Sequence, residues 1–193
     1  YEFQKKQIKL YKIYLQSKSN VLKNIQMEGI QGGDALLACS LALTLNPTSH
    51  IQTLHLKENN LDTSTCKAIG LMLKSNRSLT ELRLCQNSID AEGISDISLG
   101  LMSNRTIRIL DLEGNALNDV SVSKISNALV HNESLEFLCL DFNDFGGSGG
   151  PFFDQTSVKH RSRSWQAFKM AFQQLCRAYW SRAGGIRGPP GGL

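Results

Sequence analysis

The sequence predicts an α/β protein in which strand–helix units repeat every 28 residues. Three observations predict this fold class. Hexapeptides with leucine or isoleucine at their first, fourth and sixth positions begin at Ile51, Leu79, Ile107 and Leu135. An asparagine follows each hexapeptide at one fixed distance, at Asn59, Asn87, Asn115 and Asn143. The second half of the first three units carries apolar residues at helical spacing.

This combination of period, leucine spacing and asparagine is typical of leucine-rich repeats. Units of this kind stack so that each contacts its neighbours. We therefore expect a leucine-rich-repeat solenoid, or horseshoe, with parallel strands on the concave face and helices outside. Such curved surfaces are built for binding, so the sequence favours recognition over catalysis.

Each unit begins with a short strand that has an apolar side. Side chains alternate along a strand, so the fourth and sixth positions of each hexapeptide point the same way. The resulting ladder comprises Leu54, Leu56, Leu82, Leu84, Leu110, Leu112, Leu138 and Leu140, extended by Leu61, Ile89, Leu117 and Phe145. The asparagine comes where the chain leaves the strand, and its amide can donate to and accept from the turning backbone.

Each strand is followed by a predicted helix. The apolar positions are Cys66, Ile69 and Leu73, then Ile94, Ile97 and Leu101, then Val122, Ile125 and Leu129. The helices end near Asn76, Asn104 and Asn132, residues that tolerate a left-handed cap. These asparagines also create N-x-S/T sequences, but their recurrence at one repeat position favours a role in the turn over glycosylation.

An earlier, degenerate unit precedes Ile51. Leu22, Ile25 and Met27 repeat the strand spacing, and residues 35–45 supply the helical stretch. The chain therefore divides into three segments. They are a basic helical cap or partial repeat at 1–21, the repeat array at 22–146, and a linker, basic amphipathic helix and disordered Gly/Pro end at 147–193.

Charge is distributed unevenly along the chain. Residues 1–23 carry +5, residues 24–147 carry −7 and residues 148–193 carry +6. Patch charge of this kind steers partners, and the basic tail is expected either to cap the last repeat or to lie on the concave face. The five cysteines lack C-x-x-C spacing, so we expect reduced thiols in a cytoplasmic protein, with no disulfide framework or zinc site.

The repeats resemble the ribonuclease-inhibitor-like subclass of leucine-rich repeats. Residues 79–106 fit its pattern L-x-x-L-x-L-x-x-N-x-I-x-x-x-G best, with Asn87, Ile89 and Gly93 in place, and Thr65 and Ser121 replace that glycine in the neighbouring units. The subclass includes ribonuclease inhibitor, the sensor domains of NOD-like receptors and the Ran GTPase-activating proteins. The resemblance covers about residues 22–146 and implies a cytoplasmic protein–protein recognition module. A GTPase-activating protein similar to the Ran regulators is the alternative, although no catalytic residue carries over.

The candidate partner contacts are strand residues that face the concave surface. They are His55, Lys57, Glu81, Arg83, Ile109, Asp111, Glu113, Phe137, Asp141 and Phe142. Ile109 and Phe137 place apolar side chains on adjacent strands, bordered by the carboxylates of Asp111, Glu113 and Asp141. An apolar anchor bordered by charge is typical of an interaction hot spot. The alternative is that Phe137 or Phe142 packs under a C-terminal cap.

The sequence contains no motif for catalysis, a metal or a cofactor. His55 lies in one row with Arg83 and Asp111, but that row has no nucleophile. The histidines lack metal spacing, residues 146–150 lack the lysine of a phosphate loop, and the carboxylates do not form a calcium loop. We expect a non-enzymatic protein that binds another protein and has no cofactor, metal or small-molecule substrate. Nucleic acid is disfavoured because the basic residues are scattered, and membrane contact by the tail is a less favoured alternative.

Overall fold

The computed structural model describes residues 23–29, 50–144 and 157–159. Its strands are β1 (Asn24–Glu28), β2 (Thr53–Lys57), β3 (Glu81–Arg83), β4 (Ile109–Asp111), β5 (Phe137–Cys139) and β6 (Ser157–Lys159). Its helices are α1 (Thr63–Ser75), α2 (Ala91–Ser103) and α3 (Asp119–His131). None of the helices described in these ranges is long and apolar enough to cross a membrane.

The strands form one sheet in chain order. β1 to β5 pair in parallel, and β6 adds to the free edge of β5 in the antiparallel direction. Leu54 pairs with Leu82, Leu82 with Leu110 and Leu110 with Leu138, so equivalent leucines stand side by side. Because parallel strands need a crossover between them, each helix returns the chain to the same end of the sheet. The predicted α/β class with parallel strands is confirmed.

An apolar core lies between the sheet and the helices. It contains the ladder leucines from Leu54 to Leu140 and the helical positions predicted from spacing, such as Ile69, Ile97 and Ile125. Ile25 and Met27 of the degenerate first unit are also buried in it. Burying an aliphatic side chain of this size stabilises a fold by about 1.5–3 kcal/mol, so this stripe is the main source of stability.

The asparagines after the strands form a ladder of their own, here called the inner asparagines (Asn59, Asn87, Asn115 and Asn143). The Asn87 side-chain amide donates to the carbonyls of Leu56 (2.6 Å) and Cys85 (3.0 Å). Its carbonyl accepts from the backbone N–H of Asn59 at 2.8 Å. Each inner asparagine thus joins its own turn to that of the preceding unit, which confirms the predicted role.

A second asparagine ladder lies at the helix ends and corrects the sequence prediction. Asn76, Asn104 and Asn132 have φ of −69°, −76° and −92° with extended ψ, so none adopts the expected left-handed cap. Instead, the Asn104 amide donates to Leu73 O at 2.8 Å, and its carbonyl accepts from the N–H groups of Thr106 and Ile107. Spacing could not distinguish these two ways of satisfying the last carbonyls of a helix. All three side chains are buried, which fits the predicted turn role.

Glycines allow neighbouring helices to approach closely. A Cβ at Gly70 in α1 would lie 2.2 Å from the carbonyl oxygen of Asp96 in α2. A Cβ at Gly100 would lie 2.3 Å from the carbonyl oxygen of Gly70. Backbone therefore packs on backbone at this point, and the helix spacing requires glycine there.

Several expectations fall on residues that the described ranges do not include. They are the N-terminal segment at 1–21, the helix at 35–45, Leu22, Phe145 and the amphipathic helix of the C-terminal segment.

Candidate interaction surface on the open face of the sheet

One side of the sheet packs on the helices, and the other side is here called the open face. Along β2 the buried Leu54 and Leu56 alternate with half-buried Thr53, His55 and Lys57. The pairing register then fixes the neighbours on the open face in β3, β4 and β5. One row runs Thr53, Glu81, Ile109, Phe137, and the next runs His55, Arg83, Asp111, Cys139.

A chain of charged side chains crosses β2, β3 and β4. His55 Nε2 lies 2.9 Å from Glu81 Oε1, and the Arg83 Nε–H donates to the same oxygen. Arg83 Nη1 reaches Asp111 Oδ2 at 3.5 Å. Burial alone would raise the pKa of Glu81, but the hydrogen bonds from Arg83 and His55 outweigh it and hold that pKa below its usual value. Glu81 therefore stays ionised and fixes the positions of both partners.

The β1 end of the open face is an exposed ion pair. Lys57 Nζ lies 3.0 Å from Glu58 Oε1 and 3.3 Å from Glu28 Oε1. These hydrogen bonds, first to Glu58 and then to Glu28, raise the pKa of Lys57. Solvent screens such a pair, so it shapes the surface charge more than the stability.

The β5 end of the open face is apolar. Ile109 and Phe137 are half-buried and stand opposite each other in register. Phe142 follows β5 and is 82% exposed. Its backbone is left-handed, with φ of 55°, a conformation that costs a residue with a Cβ about 1–2 kcal/mol. The equivalent positions in the earlier units, Gly114, Gln86, Glu58 and Gly29, are left-handed too. A large apolar side chain is thus exposed at a turn position whose backbone is left-handed in every described unit.

Between these two ends lies a compact group of buried and half-buried donors. The ligand atoms of Asp111, Glu113 and Cys139 all lie within 4.8 Å of one another. Asp111 and Cys139 are each only 5% exposed. Cys85 joins them, with its Sγ 3.8 Å from Asp111 Oδ2. Burial, followed by the charge of Asp111, raises the pKa of the Cys85 thiol to about 11, so this thiol is protonated at neutral pH and is a poor nucleophile.

The structure changes the predicted contact set at two residues. Asp111 is buried and accepts from the Glu113 N–H at 3.1 Å, so it positions its neighbours and has little surface to offer a partner. Asp141 is half-buried but does not belong to the Asp111–Glu113–Cys139 group, so the three predicted carboxylates do not converge on one point. His55, Lys57, Glu81, Arg83, Ile109, Glu113, Phe137 and Phe142 all keep accessible surface.

Sequence reasoning did not single out Cys85 and Cys139 as neighbours of Asp111. Their positions were readable in the repeat register, because Cys139 occupies the row of Asp111 and Cys85 occupies the row of Glu113. The cysteines are 54 residues apart in the chain, so a motif based on local spacing could not find them.

A cavity of about 290 Å³ lies outside this surface, at the starts of α1 and α2. Its wall includes Asp62 and Asp90, which cap those helices: Asp62 Oδ1 accepts from Thr65 N–H, and Asp90 Oδ1 accepts from Gly93 N–H. Hydrogen bonding with Thr65 lowers the pKa of Asp62. Both carboxylates therefore have a structural role in helix capping.

The comparisons with known proteins agree on the fold. A family model described as a leucine-rich repeat matches residues 75–98 and 103–126. A solved structure of leiomodin-1 actin-binding site 2 is similar over 89% of this chain and 95% of its own, with a TM-score of 0.59 and 19% identity. The tropomodulin C-terminal domain of Caenorhabditis elegans is similar over 91% and 99%, with a TM-score of 0.59 and 13% identity.

No curated protein sequence matches this chain. At such low identity, the structural similarity establishes the fold alone. The chain contains leucine-rich repeats and has a leucine-rich-repeat fold.

Proposed function

We propose that this chain is a non-enzymatic, cytoplasmic protein-binding module whose partner contacts the open face of the sheet. We further propose that this face is the concave side of a horseshoe of 28-residue units, similar to the ribonuclease-inhibitor-like subclass. One observation carries the proposal. The residues that alternate with the buried leucines differ in type from strand to strand, and most of them keep accessible surface, among them His55, Arg83 and Phe137.

Two regions of the open face suit different kinds of contact. In the charged region on β2 and β3, His55, Glu81 and Arg83 are already hydrogen-bonded to one another, so a partner meets charges with fixed positions. At the β5 end, Phe137 and Ile109 offer apolar surface, and Phe142 projects beyond them. Aromatic anchors bordered by ordered charges are where binding energy concentrates in interfaces. We propose that the β5 end anchors the partner and that the charged region on β2 and β3 orients it.

Actin is the first partner to test, because a structure of similar fold is an actin-binding site of leiomodin-1. The alternative of a GTPase-activating protein gains no support from the family model or from the similar structures. It is excluded experimentally if a panel of small GTPases hydrolyses GTP at the same rate with and without this chain.

The test uses three versions of the full chain. They are the wild type, the open-face variant Ile109→Ala/Phe137→Ala and the helix-face control Leu71→Ala/Leu99→Ala. Leu71 and Leu99 are 49% and 50% exposed on α1 and α2, so the control removes accessible apolar surface from the other side of the protein. Each version is titrated against actin monomers and sedimented with actin filaments.

If the proposal is right and actin is the partner, the wild type and the control bind alike, and the open-face variant binds at least about tenfold more weakly, as expected for the loss of two anchors. Binding that is lost in the control but kept in the open-face variant would place the site on the helices and contradict the proposal. If actin does not bind to the wild type, actin is excluded as the partner, and the same three versions serve as baits for other proteins.

A further inference from the structure

We infer that the open face contains a zinc-binding site made of Cys85, Asp111, Glu113 and Cys139. The site shares Glu113 with the proposed recognition surface, but zinc binding is measured without a partner protein, so failure of one proposal is distinguishable from failure of the other. Its four side chains come from three neighbouring strands and the turns that follow them, and two of the four donors are thiols.

The sheet register brings the four donors together. Asp111 of β4 pairs with Cys139 of β5, so their side chains stand directly opposite each other. Glu113 lies two residues beyond Asp111, in the turn after β4, and its ligand atom is within 4.8 Å of that of Asp111. Cys85 lies two residues beyond Arg83, which pairs with Asp111. The bond from Gln86 N–H to Glu113 O, 2.8 Å, carries the register past the end of the strands and places Cys85 beside Glu113.

The distances are close to those that a tetrahedral metal requires. Zinc bonds of 2.0–2.3 Å separate tetrahedral donors by about 3.5 Å. Asp111, Glu113 and Cys139 already have their ligand atoms within 4.8 Å of one another. The Cys85 sulfur is 3.8 Å from an Asp111 oxygen. Shifts of about 1 Å are therefore enough to place the donors of Asp111, Glu113 and Cys139 around a metal, and Cys85 joins them from the Asp111 side as the fourth donor.

The surroundings favour a cation at this point. Asp111 Oδ1 accepts from the Glu113 backbone N–H at 3.1 Å, which fixes the orientation of the carboxylate. The guanidinium of Arg83 forms ion pairs with Glu81 through Nε and, at 3.5 Å, with Asp111. Because Glu81 shares this positive charge, the guanidinium offsets only part of the negative charge of Asp111 and Glu113. The donor set then selects the metal, because two sulfurs and two oxygens suit zinc, whereas calcium and magnesium take oxygen alone.

The test is a titration of the reduced, chelator-treated full chain with zinc, followed by calorimetry. We expect one zinc to bind per chain, and the affinity to fall at least about tenfold in Cys139→Ala, Cys85→Ala and Glu113→Gln. Cys66→Ala is the matched control, because that thiol is buried in the core at α1 and lies outside the group of donors. Glu113 is only half-buried, so Glu113→Gln keeps the test valid if a buried cysteine variant fails to fold.

Cobalt(II) provides a second readout that identifies the ligands. A thiolate bound to cobalt gives a sulfur-to-metal charge-transfer band, which we expect in the wild type and in Cys66→Ala and which should weaken in Cys85→Ala and Cys139→Ala. The inference is overturned if zinc does not bind at micromolar concentration. It is equally overturned if all variants bind zinc as the wild type does, or if the cobalt complex lacks the thiolate band.

Discussion

The inner asparagines and the open face of the sheet occupy equally regular positions in successive units, yet their residue types behave in opposite ways. One ladder repeats Asn59, Asn87, Asn115 and Asn143 without change, whereas one open-face row reads His55, Arg83, Asp111 and Cys139. Each inner asparagine must satisfy backbone groups in two units, and few other side chains can donate and accept there. In the open-face row, by contrast, Asp111 accepts from the Glu113 N–H of its own turn, whereas His55 and Arg83 bond to the Glu81 side chain. Stability therefore resides in the constant positions, and the variable positions are free to serve recognition.

The largest expected loss of stability comes from replacing an inner asparagine. In Asn115→Ala, the carbonyls of Leu84 and Leu112 lose a donor, and the N–H groups of Asn87 and Ile89 lose an acceptor. Each orphaned buried group costs about 1–3 kcal/mol, so we expect the free energy of unfolding to fall by more than about 3 kcal/mol. Urea denaturation followed by circular dichroism measures it.

Asn118→Ala is the control for this change, and it is not neutral. The Asn118 side chain caps α3 by accepting from the N–H groups of Val120 and Ser121. Loss of an N-cap costs about 1 kcal/mol. Equal losses of stability in the two asparagine variants would contradict the role assigned to the inner asparagines.

Gly70→Ala should have the next largest effect. The added Cβ would meet the Asp96 carbonyl oxygen at 2.2 Å, and backbone cannot yield as a flexible side chain does. The strain should outweigh the better helix propensity of alanine and destabilise the fold by about 1–3 kcal/mol. Lys67→Ala, at an exposed position of the same helix, is the control and should change the melting temperature little. A stabilised Gly70→Ala variant would show that α1 and α2 are not in close contact.

A change at the edge of the open face should separate stability from binding. Phe142→Gly relieves a left-handed backbone and should stabilise the fold by up to about 1 kcal/mol, while it weakens partner binding. Gly114→Ala is the converse substitution at the equivalent position one unit earlier. There φ is 65°, and a Cβ would lie 3.0 Å from Gln86 Cγ. It should destabilise by about 1 kcal/mol. Thermal unfolding of the two variants should therefore shift in opposite directions, and a shared direction would refute the strain at Phe142.

The smallest expected effect is a pH dependence on the open face. The folded-state pKa of Glu81 lies below its usual value of 4.5, so its ionised form stabilises the fold above that value, and this contribution is lost as the pH falls through the folded-state pKa. Glu81→Gln should therefore be less stable than the wild type at pH 7, by less than about 1 kcal/mol, and the difference should shrink as the pH falls below 4.5. A difference that is constant with pH would show that Glu81 does not act through its charge.

The same contrast explains which structural features could be predicted from the sequence. Leucine spacing and the inner asparagines predicted the parallel sheet, the core and the turn bonds. Every unit must meet the same packing and hydrogen-bonding requirements at these positions, so it keeps the same residue types. The extended caps at Asn76, Asn104 and Asn132 were not predictable, since left-handed and ladder-type caps both favour asparagine. The buried state of Asp111 and its contact with Cys85 depend on side-chain packing across strands, which no local spacing encodes.

The central claim is that this chain recognises a protein through the open face of its sheet. The most direct measurement is a quantitative mass-spectrometric comparison of the proteins captured by the wild type, by Ile109→Ala/Phe137→Ala and by Leu71→Ala/Leu99→Ala, with each bait shown to be folded by circular dichroism. We predict that the wild type and the helix-face variant capture the same proteins, and that the open-face variant loses them. Loss of those proteins from the helix-face variant, with full retention by a folded open-face variant, would contradict the claim.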